Sequence, residues 1–142
     1  MNLSRRDLGF LIPALASRAA AQQSPDRLLE TKVYHNDKIA YAGDSKKKGR
    51  EFFHGTNHSA FDLQMHETIL GPGIQTHAPH KHEHEEIAIV LEGTMEAWLE
   101  GKTELAEAGS VVYFGSNQMH SSRNAGAGPC RYYIVELRGK AA

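Results

Sequence analysis

The sequence predicts an all-β domain, in the form of an antiparallel sandwich or barrel. Beyond residue 50, short apolar segments recur at close spacing, and turns that contain glycine separate them. Segments of this length and spacing are typical of antiparallel β-folds. After the first 21 residues no long stretch has the periodicity of an amphipathic helix, and no internal repeat or second domain is evident.

The individual strands are predicted from local patterns. Phe61, Leu63 and Met65 alternate with polar residues, as in a half-buried strand, and the Gly-Pro-Gly run at 71–73 ends this pattern. The segment 97–99 runs into Glu-Gly-Lys at 100–102, which indicates a hairpin. Further strands are predicted at 32–34, 87–91, 111–114 and 132–137.

Composition excludes several classes of protein. Apolar residues make up 40% and charged residues 23% of the 142 residues, as in soluble globular domains. The net charge is -1 and the lysines at 46–48 are interpreted as a solvated loop, so nucleic acid is not expected as a partner. The single cysteine, Cys130, cannot form an internal disulfide and precedes an apolar run. We interpret it as a small apolar residue at the start of a strand, not as a nucleophile.

The first 21 residues have the features of an export signal. Arg5 and Arg6 precede an apolar run at 8–16, and three alanines at 19–21 offer a cleavage site. The run is shorter than the roughly twenty residues that span a bilayer. The paired arginines resemble a twin-arginine signal, which implies export of the folded protein to the periplasm with no membrane contact after cleavage. Ordinary secretion, or a short amphipathic helix of the mature fold, are the alternatives.

The chain is therefore predicted to consist of three parts. Residues 1–21 are the signal peptide, residues 22–50 form an N-terminal arm, and residues 51–142 form the β-barrel domain. The arm is polar and rich in loop-forming residues. It could wrap the domain or a neighbouring subunit, because open β edges need covering, so a homodimer is one expected partner.

Histidines are crowded between residues 77 and 120. If His80 and His82 lie on one strand, both imidazoles point to the same face, and Glu86 has the same parity. Two imidazoles and a carboxylate so placed suit a transition metal. A solvated, charged loop is the alternative interpretation of this stretch, and a bulge between His82 and Glu86 would break the parity.

The same stretch resembles the first sequence motif of the cupin family. That motif has a glycine, then His-x-His, three residues, a glutamate, six residues and a glycine. Here the corresponding residues are Gly73, His80, His82, Glu86 and Gly93.

Residues 109–124 resemble the second cupin motif. Gly109, His120 and Asn124 match it, while Gly115 and Asn117 stand where proline and glycine are usual. Both substitutes are compatible with a turn, so we expect the loop to be retained. The resemblance covers about residues 51–137.

The resemblance implies a jelly-roll barrel of two sheets with a single metal site. Its ligands would be His80, His82, Glu86 and His120. The cofactor would be one divalent transition metal ion, which could be manganese, iron, zinc, nickel or copper. One or two coordination positions would be left for water, substrate or dioxygen.

The remaining polar and aromatic residues are given secondary roles. His84 could compete as a ligand, and His77 could lie at the cavity mouth, although surface exposure is the simpler expectation. We interpret Asn124 as a turn former, and Tyr113 and Trp98 as core residues, with a position in the cavity lining as the alternative for these two. Surface or structural positions are expected for His35, His54, His58 and His66, and solvent-facing or imidazole-supporting positions for Glu83 and Glu85.

Two functions from different classes follow from a metal-binding barrel. The first is a metal-dependent enzyme, such as a dioxygenase or isomerase, that acts on a small organic substrate. The alternative is a protein that binds a metal or small ligand without turnover. An ionisable group that lies in the cavity and is not a metal ligand would favour the enzyme.

Overall fold

The polypeptide forms two antiparallel sheets and no α-helix in the residues that the computed structural model describes, 27–140. A 3₁₀ helix at Asn36–Lys38 precedes the strands. The strands are β1 Ala42–Gly43, β2 Lys47–Thr56, β3 Phe61–Leu70, β4 Glu85–Glu92, β5 Thr94–Leu99, β6 Lys102–Glu107, β7 Val111–Phe114, β8 His120–Asn124 and β9 Cys130–Lys140. The predicted all-β fold is confirmed.

The strand order is that of a jelly roll. One sheet has the order β1-β2-β3-β9-β4-β7, and the other has the order β6-β5-β8. After β4 the chain passes to the second sheet for β5 and β6, returns for β7, and alternates again for β8 and β9. The segments that carry the predicted ligands therefore come from facing sheets. Within residues 27–140, no helix combines the length and apolar character needed to cross a membrane.

The core lies between the two sheets and follows the period-two rule. On β9, Cys130, Tyr132, Ile134 and Glu136 are all buried and point inward. Apolar residues fill the end of the barrel near Cys130, whose burial raises the pKa of its thiol to about 11. Glu136 lies towards the other end of the same row, so the inner face of β9 changes from apolar to acidic along the strand.

The predicted hairpin at residues 100–102 joins β5 to β6. Its two loop residues, Glu100 and Gly101, have φ angles of 47° and 87°. Positive φ at both positions is typical of the two-residue turn that matches the twist of paired strands. The local sequence pattern was sufficient to locate this connection.

Gly93, which separates β4 from β5, is held in a strained and crowded position. Its φ is 76°, and a Cβ atom there would lie 2.4 Å from the carbonyl oxygen of Pro129 and 3.1 Å from Cα of Cys130. We expect Gly93→Ala to lower the free energy of unfolding by about 3 kcal/mol or more. Gly101→Ala, where φ is 87° and no atom lies within 4 Å, should lower it by only about 1 kcal/mol. Denaturant titration of both variants measures the difference, and equal losses would show that crowding at Gly93 is relieved.

The segment before β2 differs from its prediction. Residues 32–34 form no strand, and the Tyr34 ring instead packs on Phe53 at a centroid distance of 5.0 Å. Lys47 and Lys48 belong to β2, so they are not part of a solvated loop. A short strand-like pattern cannot predict such packing, because it depends on a partner elsewhere in the chain. The sheet begins within the predicted arm 22–50, and the predicted signal peptide lies outside the described residues.

Two aromatic residues were wrongly predicted to be core residues. Tyr113 is 56% exposed, and Trp98 is half-buried and lies outside the histidine-lined cavity. Their inward-facing neighbours explain this, because Val112 on β7 and Ala97 on β5 are buried. Period two then turns Tyr113 and Trp98 to the outer faces of their sheets.

Candidate metal centre

Backbone pairing brings His80 and His120 together. The two residues form an antiparallel bridge, in which each N–H donates to the carbonyl of the other at 3.0 and 2.9 Å. His82 is tied to the same loop, because its carbonyl accepts a hydrogen bond from the N–H of Asn117 at 2.7 Å. Asn117 has a φ of 58°, so asparagine replaces the usual glycine in a conformation that it tolerates.

The assumed strand through His80 and His82 is wrong, although both imidazoles face the same site. β4 begins only at Glu85, and His82 lies in irregular backbone. The bridge from His80 to His120 therefore positions the group, and parity along a strand does not. Sequence periodicity could not show this pairing, because it joins segments that are distant in the chain.

Three imidazoles converge at the site. The ring centroids of His80 and His82 lie 4.6 and 4.8 Å from that of His120, and their donor nitrogens all lie within 4.8 Å of one another. One ion with bonds of about 2.1 Å holds its donors about 3–4 Å apart, so small side-chain rotations would close the group around it.

Each imidazole has one nitrogen engaged by the backbone. Nδ1 lies at hydrogen-bond distance from a carbonyl oxygen two residues away: 3.1 Å for His80 to Ala78, 2.8 Å for His82 to His84, and 2.9 Å for His120 to Gln118. A carbonyl can only accept, so Nδ1 carries the proton in each ring. The lone pair is then on Nε2, which is the arrangement that metal-ligating histidines adopt.

Unsatisfied nitrogens provide the test of whether a metal fits. Nε2 of His82 and Nε2 of His120 are buried and have no hydrogen-bond partner. Burial also lowers the pKa of His120, which keeps this imidazole neutral. A buried, neutral nitrogen without a partner is costly unless it binds something. A transition metal ion would satisfy both nitrogens, so the donor set fits.

Glu86 adds a carboxylate beside the imidazoles. Its Oε1 lies 3.0 Å from Nε2 of His82 without hydrogen-bond geometry, and its Oε2 lies 3.9 Å from Nε2 of His120. These separations are compatible with shared ligation of one ion by Glu86, His82 and His120, but the group of donors that lie within 4.8 Å of one another contains His80, His82 and His120 without Glu86. The assignment of all four residues remains a prediction that the geometry supports.

His84 belongs to a second group that shares two of these residues. Its ring stacks on that of His82 at 3.5 Å, and its Nε2 lies 3.2 Å from Oε1 of Glu86. His82, His84 and Glu86 could also hold an ion together. This group is less buried than the first, in which His120 is buried. His84 therefore contacts Glu86 and does not belong to the group of three histidines.

The site opens into a cavity of about 120 Å³ between the two sheets. His80, Glu86 and His120 form one wall, and exposed His77 lies at the rim. The remaining lining residues include Lys47, His66, Thr68, Thr76, Phe114, Ser122, Tyr132, Ile134 and Glu136. The sequence analysis placed some of these residues in predicted strands or among the surface lysines and histidines, but it assigned none of them to a cavity.

His66 and Glu136 are ionisable groups in this cavity that the predicted metal set does not include. Nδ1 of His66 lies 3.6 Å from Oε1 of Glu136, and Glu136 is buried. Its other oxygen, Oε2, forms an ion pair with Arg138 and lies 3.4 Å from Nε2 of His84. Burial lowers the pKa of His66, while the Glu136 carboxylate acts in the opposite direction. His66 was placed among surface or structural residues, and the structure corrects this. The period-two row of β9 was the signal that could have identified Glu136.

The face of β3 that points into the barrel is the opposite of the expected one. His66, Thr68 and Leu70 face the interior, whereas Leu63 and Met65 face outward. Residues before β2 cover part of the outer face of the sheet, where the Tyr41 hydroxyl bonds buried Glu67 at 3.0 Å. The same segment packs Tyr34 on Phe53, which is the partner of Met65 in the pairing of β2 with β3.

The other predicted residues have structural positions. The Asn124 side-chain amide donates to the carbonyls of Leu70 and Gly128 and accepts from the N–H of Gly126, which agrees with a turn-forming role. His35 and His58 are exposed, and buried His54 lies 3.0 Å from Asp62. Glu83 is exposed and Glu85 interacts with Tyr113.

Comparison with known proteins identifies the domain. The model of the cupin domain matches residues 66–136. No curated protein sequence matches the chain. Among solved structures, KdgF from Halomonas sp. superposes with a TM-score of 0.66 at 19% identity, covering 77% of this chain and 96% of its own. A predicted oxalate decarboxylase from Thermotoga maritima gives 0.62 at 21% identity, covering 75% and 99%. The polyketide cyclase RemF from Streptomyces resistomycificus gives 0.62 at 20% identity, covering 80% and 83%.

Proposed function

The chain belongs to the cupin family, and from this premise we propose that it is a metal-dependent enzyme acting on a small organic molecule. Structural likeness at these identities shows the fold alone, and solved relatives bear the names of unlike activities, including a predicted decarboxylase and a cyclase. We therefore base the proposal of an enzyme on the residues of the site.

The metal would be held by His80, His82 and His120 through Nε2, with Glu86 as the fourth ligand. Backbone carbonyls fix the three rings before any ion arrives, so little reorganisation is needed on binding. Three nitrogens and one oxygen suit manganese, iron, zinc, nickel or copper. Such an ion supplies Lewis acidity, and a redox-active one supplies electron transfer as well.

The His66–Glu136 pair is the observation that carries the proposal of catalysis. Both groups line the cavity that the imidazoles face, and neither belongs to the four predicted ligands. Oε2 of Glu136 is ion-paired with Arg138, so Oε1, beside His66, is the oxygen that would accept a proton from a substrate in the cavity, which is general acid–base chemistry.

A test must separate turnover from binding. The metal-loaded protein would be incubated with panels of small carboxylic acids, sugars, catechols and flavonols, while NMR follows substrate loss and an oxygen electrode follows dioxygen. Metal-dependent loss of any substrate supports the enzyme. Binding of ligands with no turnover by any metal form would instead show a metal-dependent binding protein.

Glu136→Gln should separate catalysis from metal binding. Removal of a positioned general base lowers kcat by about 100-fold or more, and the metal content should not change, because Glu136 is not a predicted ligand. Steady-state kinetics and elemental analysis of the same preparation measure the two quantities. Glu83→Gln, an exposed carboxylate next to the site, is the matched control. Full activity in Glu136→Gln would remove this residue from the mechanism.

Export is a separate part of the proposal. Arg5 and Arg6 precede an apolar run and a small-residue cleavage site, which supports a twin-arginine route to the periplasm. Loading would then take place in the cytoplasm before export. Cell fractionation with an Arg5→Lys, Arg6→Lys variant tests this, and unchanged periplasmic accumulation of that variant would point to ordinary secretion.

A further inference from the structure

The cavity has a second group of polar residues, here called the polar end, which are linked to one another and include none of the predicted metal ligands. Nζ of Lys47 donates to the carbonyl of Thr76 at 2.7 Å. The Thr76 hydroxyl lies 3.0 Å from that of Ser122, and Ser122 and Thr68 lie beside the hydroxyl of Tyr132. All five residues line the cavity. Residues from both sheets and from the loop after β3 therefore meet at one place.

Lys47 brings a positive charge to this end. The side chain is half-buried on the inner face of β2, and one contact to a carbonyl leaves two of its three N–H donors available. Among residues 27–140, the ion pairs do not include Lys47, although Arg50 on the same strand pairs with a buried carboxylate. A cation that faces a cavity without a carboxylate partner favours an anionic ligand.

Tyr132 supplies a donor that the protein does not use. It is 1% exposed, and its hydroxyl has no hydrogen-bond partner of ordinary geometry, although two polar side chains lie beside it. Burial raises the pKa of Tyr132, so the group remains a neutral O–H donor. A buried hydroxyl without a partner is unfavourable unless a ligand completes it. Among the described residues that line the cavity, Tyr132 is the deepest donor of this kind.

Two apolar side chains, Phe114 and Ile134, also line the cavity. Phe114 packs on His120 at a centroid distance of 4.7 Å, and Ile134 lies between Tyr132 and Glu136 on the inner row of β9. An aliphatic stem could contact these two side chains. The volume of about 120 Å³ admits only a small molecule.

We propose that the substrate is a small aliphatic organic anion whose carboxylate is held by Lys47 and Tyr132. Its opposite end presents an oxygen atom towards His80, His82 and His120. This inference rests on the proposed metal site, and it assigns specificity to two residues that are not metal ligands. The carboxylate accepts from the Lys47 ammonium and from the Tyr132 hydroxyl, while the stem lies against Phe114 and Ile134.

The test uses defined dicarboxylates as probes. Malonate, succinate and glutarate would be titrated calorimetrically into the metal-loaded full chain, beside their neutral diamides. We expect at least one dicarboxylate to bind about tenfold or more tightly than its diamide, because a carboxylate carries the charge that Lys47 attracts. Coordination of a carboxylate to the metal adds to this preference, and the Lys47 variant separates the two contributions. If no dicarboxylate binds more tightly than its diamide while the metal is present, the inference is overturned and the proposed function stands.

Variants at the polar end then identify the residues. Lys47→Met and Tyr132→Phe should each weaken dicarboxylate binding by about tenfold or more, with unchanged metal content. Lys48→Met is the control, because this exposed residue is adjacent on β2 and points to the opposite face. Equal affinity in wild type and both test variants would overturn the assignment. A chain that takes up no metal would overturn the proposed function, and this inference with it.

Tyr132→Phe also distinguishes a ligand-binding role from a structural one. The variant removes a hydroxyl that forms no hydrogen bond of ordinary geometry in the protein, so the melting temperature of the ligand-free form should stay the same or rise. Weaker dicarboxylate binding together with an unchanged or higher melting temperature supports the inference. A lower melting temperature with unchanged binding would show that the hydroxyl serves the fold.

Discussion

Arg50→Met is expected to lower the free energy of unfolding by about 3–5 kcal/mol. Glu67 is completely buried on the outer face of the large sheet, and Arg50 contacts its Oε2 through Nε at 2.6 Å and Nη2 at 2.5 Å. The Arg50 side chain is itself only 8% exposed. Its removal leaves a buried carboxylate with the Tyr41 hydroxyl and the more exposed Arg131 as partners. Urea titration at neutral pH measures the loss.

Two further variants test the cause of this loss. Arg50→Met combined with Glu67→Leu should recover most of the stability, because the unpaired charge is removed with its partner. Arg131→Met should have a smaller effect, about 1 kcal/mol, because that side chain is 36% exposed and lies 3.3 Å from Glu67. A double variant as unstable as Arg50→Met would show that packing by Arg50, and not charge pairing, holds this face.

His82→Ala and His120→Ala are expected to lower metal affinity by at least about 100-fold each. Each variant removes a buried Nε2 that faces the site without another partner. Competition with a chromophoric chelator gives the affinity, and circular dichroism verifies that the metal-free fold is retained. His58→Ala is the matched control and should have no effect, because it removes an exposed histidine from the loop between β2 and β3.

His84→Ala decides between the two groups of potential ligands. If the ion binds His80, His82 and His120, loss of His84 leaves the affinity unchanged or raises it, because Glu86 is released from its contact with His84. If His84→Ala abolishes binding while His80→Ala does not, the ion lies in the group formed by His82, His84 and Glu86. The shared member, His82, is required in both cases.

Local patterns were sufficient to predict the fold. Each of the signals that were used depends only on residues that are close together in the sequence. They are the alternation along β3 and β9, the Glu100–Gly101 turn and the close spacing of the strands. Which face of β3 points inward could not be predicted, because the covering residues before β2 and the buried Arg50–Glu67 pair reverse the simple rule of apolar residues inside. Charge pairing on an outer face leaves no periodic signal.

The motif resemblance was sufficient to predict the metal site, but the physical explanation that we gave for its geometry was incomplete. Strand parity was the argument for His80 and His82, whereas the structure joins them to His120 through a backbone bridge. Most of the cavity lining could not be predicted from the sequence, because its residues come from three strands that meet only in the folded sheet. These residues are Lys47, His66, Tyr132 and Glu136. Glu136 alone had a local signal, since it continues the inward parity of Tyr132 and Ile134.

X-ray absorption spectroscopy of the full chain, purified with its native metal and combined with elemental analysis, tests the central claim most directly. The account predicts one ion per chain with three imidazole ligands and additional oxygen donors at about 2.0–2.2 Å. The His80→Ala, His82→Ala, His120→Ala triple variant should show no such ion. A wild-type protein without a metal, or an ion without imidazole scattering that persists in the triple variant, would contradict the assignment.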